Sequence, residues 1–114
     1  MPILDVWIAA PEERAWSGPF IAIVDTGADF TIVPLSLLSS LNPPVVRPAT
    51  LSSQWQEEYF IYVYEIDLRL GNAVLPAIDV AGDPHSNEVL LGRNVLNRLD
   101  LRLQGPAQLT HLLG

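Results

Sequence analysis

The stretch Phe20-Ile21-Ala22-Ile23-Val24-Asp25-Thr26-Gly27-Ala28-Asp29 decides how this chain of 114 residues is read. The unbroken apolar run from Phe20 to Val24 predicts a strand, and apolar residues at successive positions predict burial on both of its faces. That strand runs straight into Asp25-Thr26-Gly27. A carboxylate at a strand end rides on rigid backbone and can point into a cleft. The Thr26 hydroxyl both donates and accepts, so it can tie the turn to a neighbouring main chain. Gly27 removes side-chain bulk where another backbone must lie close. The tripeptide by itself also describes an ordinary Asx-type turn, so its meaning depends on what surrounds it.

The surroundings are mostly strand. Ile3 to Ala10 and Trp16 to Val24 are rich in β-formers, separated by the polar turn Pro11-Glu12-Glu13-Arg14. Thr31-Ile32-Val33 continues in the same vein. Pro34 to Leu41 predicts a short helix, with Pro34 tolerated in its first turn and Asn42-Pro43-Pro44 ending it. Val45 to Ser53 is expected to be irregular or weakly extended. Phe60 to Leu70 is the clearest strand. Phe60, Tyr62, Tyr64, Ile66, Leu68 and Leu70 share one face. Ile61 and Val63 begin the other, which turns wet at Glu65, Asp67 and Arg69. Gly71-Asn72 predicts a hairpin turn, Ala73 to Val80 the returning strand, and Ala81 to Asn87 a polar loop. Val89-Leu90-Leu91 reads as a short buried strand. Gly92 to Leu99 has helical spacing, with Val95, Leu96 and Leu99 on one stripe. Asp100 to Leu103 and Gln108 to Leu113 read as two last strands. The class is mainly β, in one domain spanning residues 1–114.

Composition removes several functions. The net charge of -7 repels phosphate backbones, so no nucleic-acid partner is expected. The basic residues (Arg14, Arg47, Arg69, Arg93, Arg98, Arg102) are scattered, and Lys is absent. Without Lys there is no Walker-type phosphate loop and no Schiff-base chemistry. Without Cys there is no disulfide, thiol nucleophile or thiolate metal site. Asp79 and Asp83 lack a calcium-type loop, and His85 and His111 lack any ligand or nucleophile pattern, so no metal is expected and both histidines read as surface residues. Met1 to Asp5 has no basic start and no long apolar core, and no run approaches the ~20 residues that span a bilayer. No membrane partner is expected, and the expected compartment is the cytoplasm. An apolar share of 49% in so small a chain fits one that hides surface in a partner.

Two motifs in order give the Asp25 turn its meaning. The first is Asp25-Thr26-Gly27-Ala28-Asp29 after a buried strand, running on through Phe30-Thr31-Ile32-Val33-Pro34. The second is Val89-Leu90-Leu91-Gly92-Arg93-Asn94 at the start of a helix. From about Ile3 to Leu113 the chain resembles the retropepsin family, the homodimeric aspartic proteases of retroviruses and their cellular and bacterial relatives. The resemblance implies a closed β-barrel with one short C-terminal helix, dimerising through terminal strands. Met1 to Asp5 and Leu109 to Leu113 are apolar enough for that role.

On that resemblance Asp25 matches the catalytic carboxylate. Thr26 matches the threonine whose hydroxyl bonds across the dimer. Gly27 matches the glycine whose carbonyl faces substrate. Gly27, Ala28 and Asp29 line the substrate cleft, Gly92 packs against the turn, and Arg93 pairs with Asp29 as a partly buried structural ion pair. A hairpin flap is implied at Ala49 to Tyr59, with Ser52, Ser53, Gln54 and Trp55 at its substrate-facing tip. This tip departs from the viral pattern in having no Gly. Ala28 stands where many cellular relatives carry a Ser that bonds the catalytic carboxylate, which implies an optimum only mildly acidic.

Because the chain holds one Asp-Thr-Gly and the chemistry needs two carboxylates sharing a proton, the implied enzyme is a homodimeric aspartic endopeptidase acting on polypeptide, without cofactor. The alternatives are a catalytically silent dimeric module of the same fold that binds extended peptides, or a purely structural oligomerisation domain.

Overall fold

A computed structural model of the protein describes residues 2–52 and 57–102, the last three by backbone alone. Its elements run β1 (Ile3–Ala9), β2 (Ser17–Val24), β3 (Ile32–Pro34), α1 (Leu35–Leu41), β4 (Val45–Ser52), β5 (Glu58–Leu70), β6 (Ala73–Asp83), β7 (Val89–Leu91) and α2 (Arg93–Arg102). The strands form one sheet in the order β1-β2-β7-β3-β6-β5-β4, and β1 also pairs with β5. That extra pairing, from Trp7 opposite Arg69 to Ala9 opposite Asp67, closes six strands into a barrel and leaves β4 outside as an edge. Two of the pairings are parallel. Ala22 to Val24 lie beside Val89 to Leu91, and Ile32 to Pro34 beside Ala81 to Asp83.

Alternating side chains of these strands fill the barrel. Val6, Ile8, Ala22, Val24, Val33, Ile66, Leu68, Leu75 and Leu91 are buried in one cluster, joined by Leu38 of α1 and by Val95, Leu96 and Leu99 of α2. Burying each large aliphatic side chain is worth about 1.5–3 kcal/mol, so the cluster is the main driving force for closure. Helix α1 ends at Asn42, which adopts the left-handed conformation (φ 48°) and returns its N–H to Leu38 O at 3.0 Å. The β5–β6 turn places Gly71 at φ 55°, where a side chain is disfavoured.

Several expectations are corrected. Strand β2 is not buried on both faces: Ala22 and Val24 point inward, while Ile21 is 64% exposed, because only one side of a barrel wall meets the core. Val45 to Ser52 is a full strand in register with β5. Ala81 to Asp83 extends β6 rather than starting a loop, since β3 offers it a parallel partner. Asp100 to Arg102 continues α2 instead of forming a strand. Strand β5 changes its buried face midway. Ile66, Leu68 and Leu70 face the barrel core, whereas Ile61 and Val63 belong to a second cluster with Ala81, against which Phe30, Ile32, Ala49, Leu51 and Tyr59 pack. Phe60 and Tyr62, expected on the apolar face, are consequently exposed. A 13-residue strand outruns the barrel, and its overhanging half finds its neighbours on the opposite side. The expected last strand Gln108 to Leu113 lies outside the described residues.

Candidate active site

The Asp25 turn is held from below by two elements. Val24 ends β2, and the Asp25 N–H donates to Leu91 O of β7 at 3.0 Å. The turn closes on itself: the Gly27 N–H donates to Asp25 Oδ1 at 2.9 Å, and the Ala28 N–H to Asp25 O at 3.2 Å. Helix α2 then docks on it end-on. The Arg93 N–H donates to Ala28 O at 2.8 Å and the Asn94 N–H to Asp29 O at 3.3 Å. These amides belong to the first turn of a helix, where no intrahelical acceptor exists, so the carbonyls of the Asp25 loop supply what the helix lacks.

Gly92 is required by space. A Cβ there would lie 2.4 Å from the Phe30 carbonyl carbon and oxygen, which are backbone atoms with no rotamer to change. Beneath the loop sits Thr31, fully buried. Its hydroxyl accepts from the Gly92 N–H at 3.0 Å and donates to Asn94 Oδ1 at 2.8 Å. The Asn94 amide in turn donates to Asp79 O at 2.9 Å. The loop and the helix are thus stitched through side chains as well as main chain.

Above this scaffold Asp25 is half-buried, and Thr26 and Gly27 are exposed. Among the described residues the Asp25 carboxylate accepts from the Gly27 N–H, and no second carboxylate is bonded to it. Asp29 and Arg93 form the expected ion pair, but at 82% and 56% exposure it is a surface pair and not a partly buried one. The reason is that both residues flank the turn on its solvent side. On either side of the segment expected as a flap tip, β4 and β5 pair antiparallel, with Ala49 opposite Ile61 and Ser52 opposite Glu58. The inner face of this pair packs over Phe30 and Ile32. Ser53, Gln54 and Trp55 of the tip lie outside the described residues. No group of three His, Cys, Asp or Glu side chains among the described residues is placed to hold a metal ion. No described helix is long and apolar enough to cross a membrane.

Sequence reasoning passed over Thr31, Asn94 and Asp67. Asp67 was expected on a wet face. It is buried instead and accepts from the Glu12 N–H and the Ala77 N–H, both at 3.0 Å, tying the turn after β1 to the irregular stretch of β6 where its register with β5 shifts. Its only signal is a lone acid between Ile66 and Leu68.

No family model matches the chain, and no curated protein sequence does. Among solved structures it is similar to the solution structure of the simian foamy virus (mac) protease. The TM-score is 0.59 at 20% identity, over 85% of this chain and 93% of that one. At this identity the likeness speaks to architecture: the chain has a retropepsin-like fold.

Proposed function

We propose that the protein is an aspartic endopeptidase active as a homodimer, with Asp25 and the partner subunit's Asp25 forming one catalytic pair. The observation that carries this reading is the placement of Asp25, a carboxylate at a strand end in a turn braced by β7 and α2 and open on its outer side. Such bracing keeps a reacting group in place without reorganisation. A single chain offers one such turn, so a two-fold axis supplies the second.

Two carboxylates at that axis cannot both ionise easily, and the pair holds one proton. The ionised member takes a proton from a bound water as it attacks the scissile carbonyl. The protonated member hydrogen-bonds the carbonyl oxygen. Thr26, exposed beside Asp25, is available to bond across the axis. Gly27, Ala28 and Asp29 offer an edge for an extended peptide, and the described arms of the β4–β5 hairpin lie to cover it. Arg93 and Gly92 support the turn. No cofactor enters this chemistry.

Among the described residues one edge of β4 is unpaired, which favours a second reading, a silent dimeric module that takes up extended peptides by strand addition. Cleavage of a peptide library by the wild type and by Asp25→Asn separates the two. Cleavage that vanishes in Asp25→Asn supports the peptidase, equal cleavage by both proteins overturns it, and peptide binding without cleavage by either favours the module. Specific activity that stays constant on dilution, while the protein sediments as a monomer, overturns catalysis across subunits.

A further inference from the structure

Strand β5 is laddered to β6 as far as Tyr62 opposite Gly82. Beyond that point the outer arms of the β4–β5 hairpin, among the described residues, meet the rest of the protein through apolar packing and a polar side-chain bond, while Arg47 lies over the Phe30 ring. Their inner face rests on Phe30 and Ile32. Tyr59, near the start of β5, donates its hydroxyl to Asp83 Oδ2 at 3.1 Å. Asp83 is buried at the end of β6, and its other oxygen accepts from the His85 N–H at 2.9 Å. The His85 ring meets the Tyr59 ring edge-on, with centroids 5.0 Å apart. Asp83 is itself anchored, because it lies opposite Pro34 in the parallel β3–β6 pairing. Strand β3 is the continuation of the loop that carries Asp25. The Tyr59–Asp83 bond therefore joins the overhanging hairpin to the strand layer beneath the candidate catalytic turn.

From this geometry we infer that Tyr59 is a positioning residue, whose hydroxyl bond to Asp83 holds the hairpin at a set height over the Phe30–Ile32 segment and so clamps an extended peptide against the Asp25 turn. The β6 ladder fixes the register of β5 only as far as Tyr62. Beyond it, apolar packing alone leaves the outer arms free to bend away, since such contacts are non-directional. A hydrogen bond to a carboxylate is directional and stronger than a neutral one. The hydroxyl remains a donor across the neutral range, because burial first, and the bond to and charge of Asp83 next, push its pKa up. The clamping half of the inference rests on the peptidase reading; the attachment half does not.

Tyr59→Phe removes the hydroxyl and keeps the ring against His85. In hydrogen exchange, amides of 49–51 and 58–61 are expected to exchange roughly fivefold faster, the weight of about one hydrogen bond, while those of β1, β2 and β7 keep their wild-type rates. In the peptidase assay KM is expected to rise by a similar factor with kcat within about twofold, the split of lost uniform binding. In an Asp83→Ala background, Tyr59→Phe is expected to add nothing. Unchanged hairpin exchange in Tyr59→Phe, or faster exchange with KM unaltered, overturns the inference. If the wild type cleaves nothing, the peptidase reading fails by itself, and the exchange comparison still decides whether Tyr59 holds the hairpin.

Discussion

Thr31 and Gly92 stand 61 residues apart in the chain, yet the buried Thr31 hydroxyl receives the Gly92 N–H at 3.0 Å. The same hydroxyl donates onward to Asn94. One side chain thereby joins the segment that follows the Asp25 turn to the start of α2. Thr31→Val keeps the shape but leaves a buried amide and a carboxamide oxygen without partners. A loss of about 2–3 kcal/mol is expected, read from the midpoint of denaturant unfolding, with Thr31→Ser retaining most of the stability.

Gly92→Ala is expected to be among the most damaging single substitutions. The new methyl would press on the Phe30 main chain at 2.4 Å, and relief requires moving the Asp25 loop off α2. A loss of about 3 kcal/mol or more follows from overpacking against backbone. Thermal unfolding measures it, and any residual activity should fall with the folded fraction or faster.

The Asp29–Arg93 pair predicts the opposite. Both side chains are largely in solvent, so Arg93→Ala should cost no more than about 1 kcal/mol, diminishing further in salt. Urea unfolding at low and high ionic strength tests this. A larger, salt-independent loss would mean that the pair is shielded in the assembled protein.

Asp67→Ala should destabilise the barrel. The Glu12 and Ala77 amides lose their acceptor, and because both residues are exposed and water can replace it, the loss is about 1–2 kcal/mol together. Exchange of these two amides would rise before that of the Asp25 turn, because the defect is local to the turn after β1 and the irregular stretch of β6.

Alkaline titration offers a check on Tyr59. Its pKa is raised in the folded protein above the ordinary value of about 10. A raised folded pKa contributes stability that is complete below the unfolded pKa and is lost as pH climbs through the folded one. Tyrosinate absorbance should show a late-ionising step, and Tyr59→Phe should remove it.

Much of the architecture was legible because it is written in local chemistry. An apolar run ending in Asp-Thr-Gly, a Gly71-Asn72 turn between two strands and an Asn-Pro-Pro helix stop each act through their own backbone preferences. The errors came where a residue's environment is set by something distant. Val45 to Ser52 lacks alternation because it is an edge strand outside the barrel, mostly exposed. Ala81 to Asp83 reads as loop until β3 is placed beside it. Asp67 reads as a wet-face residue and Thr31 as one more β-former until the amides they satisfy, far along the chain, are brought to them.

Residue order alone determined that a carboxylate would be presented once, on a tight turn after a strand, since spacing and backbone preference act between neighbours. It also determined that Gly92 and Arg93 open a helix near the end of the described chain. Only the tertiary structure decided that this helix plugs its unpaired amides into the Asp25 loop, that β5 exchanges its buried face as it leaves the barrel, and that Tyr59 reaches Asp83. Those outcomes depend on which distant groups meet once the barrel closes, and closure is driven by the pooled burial of many side chains that no single segment contains.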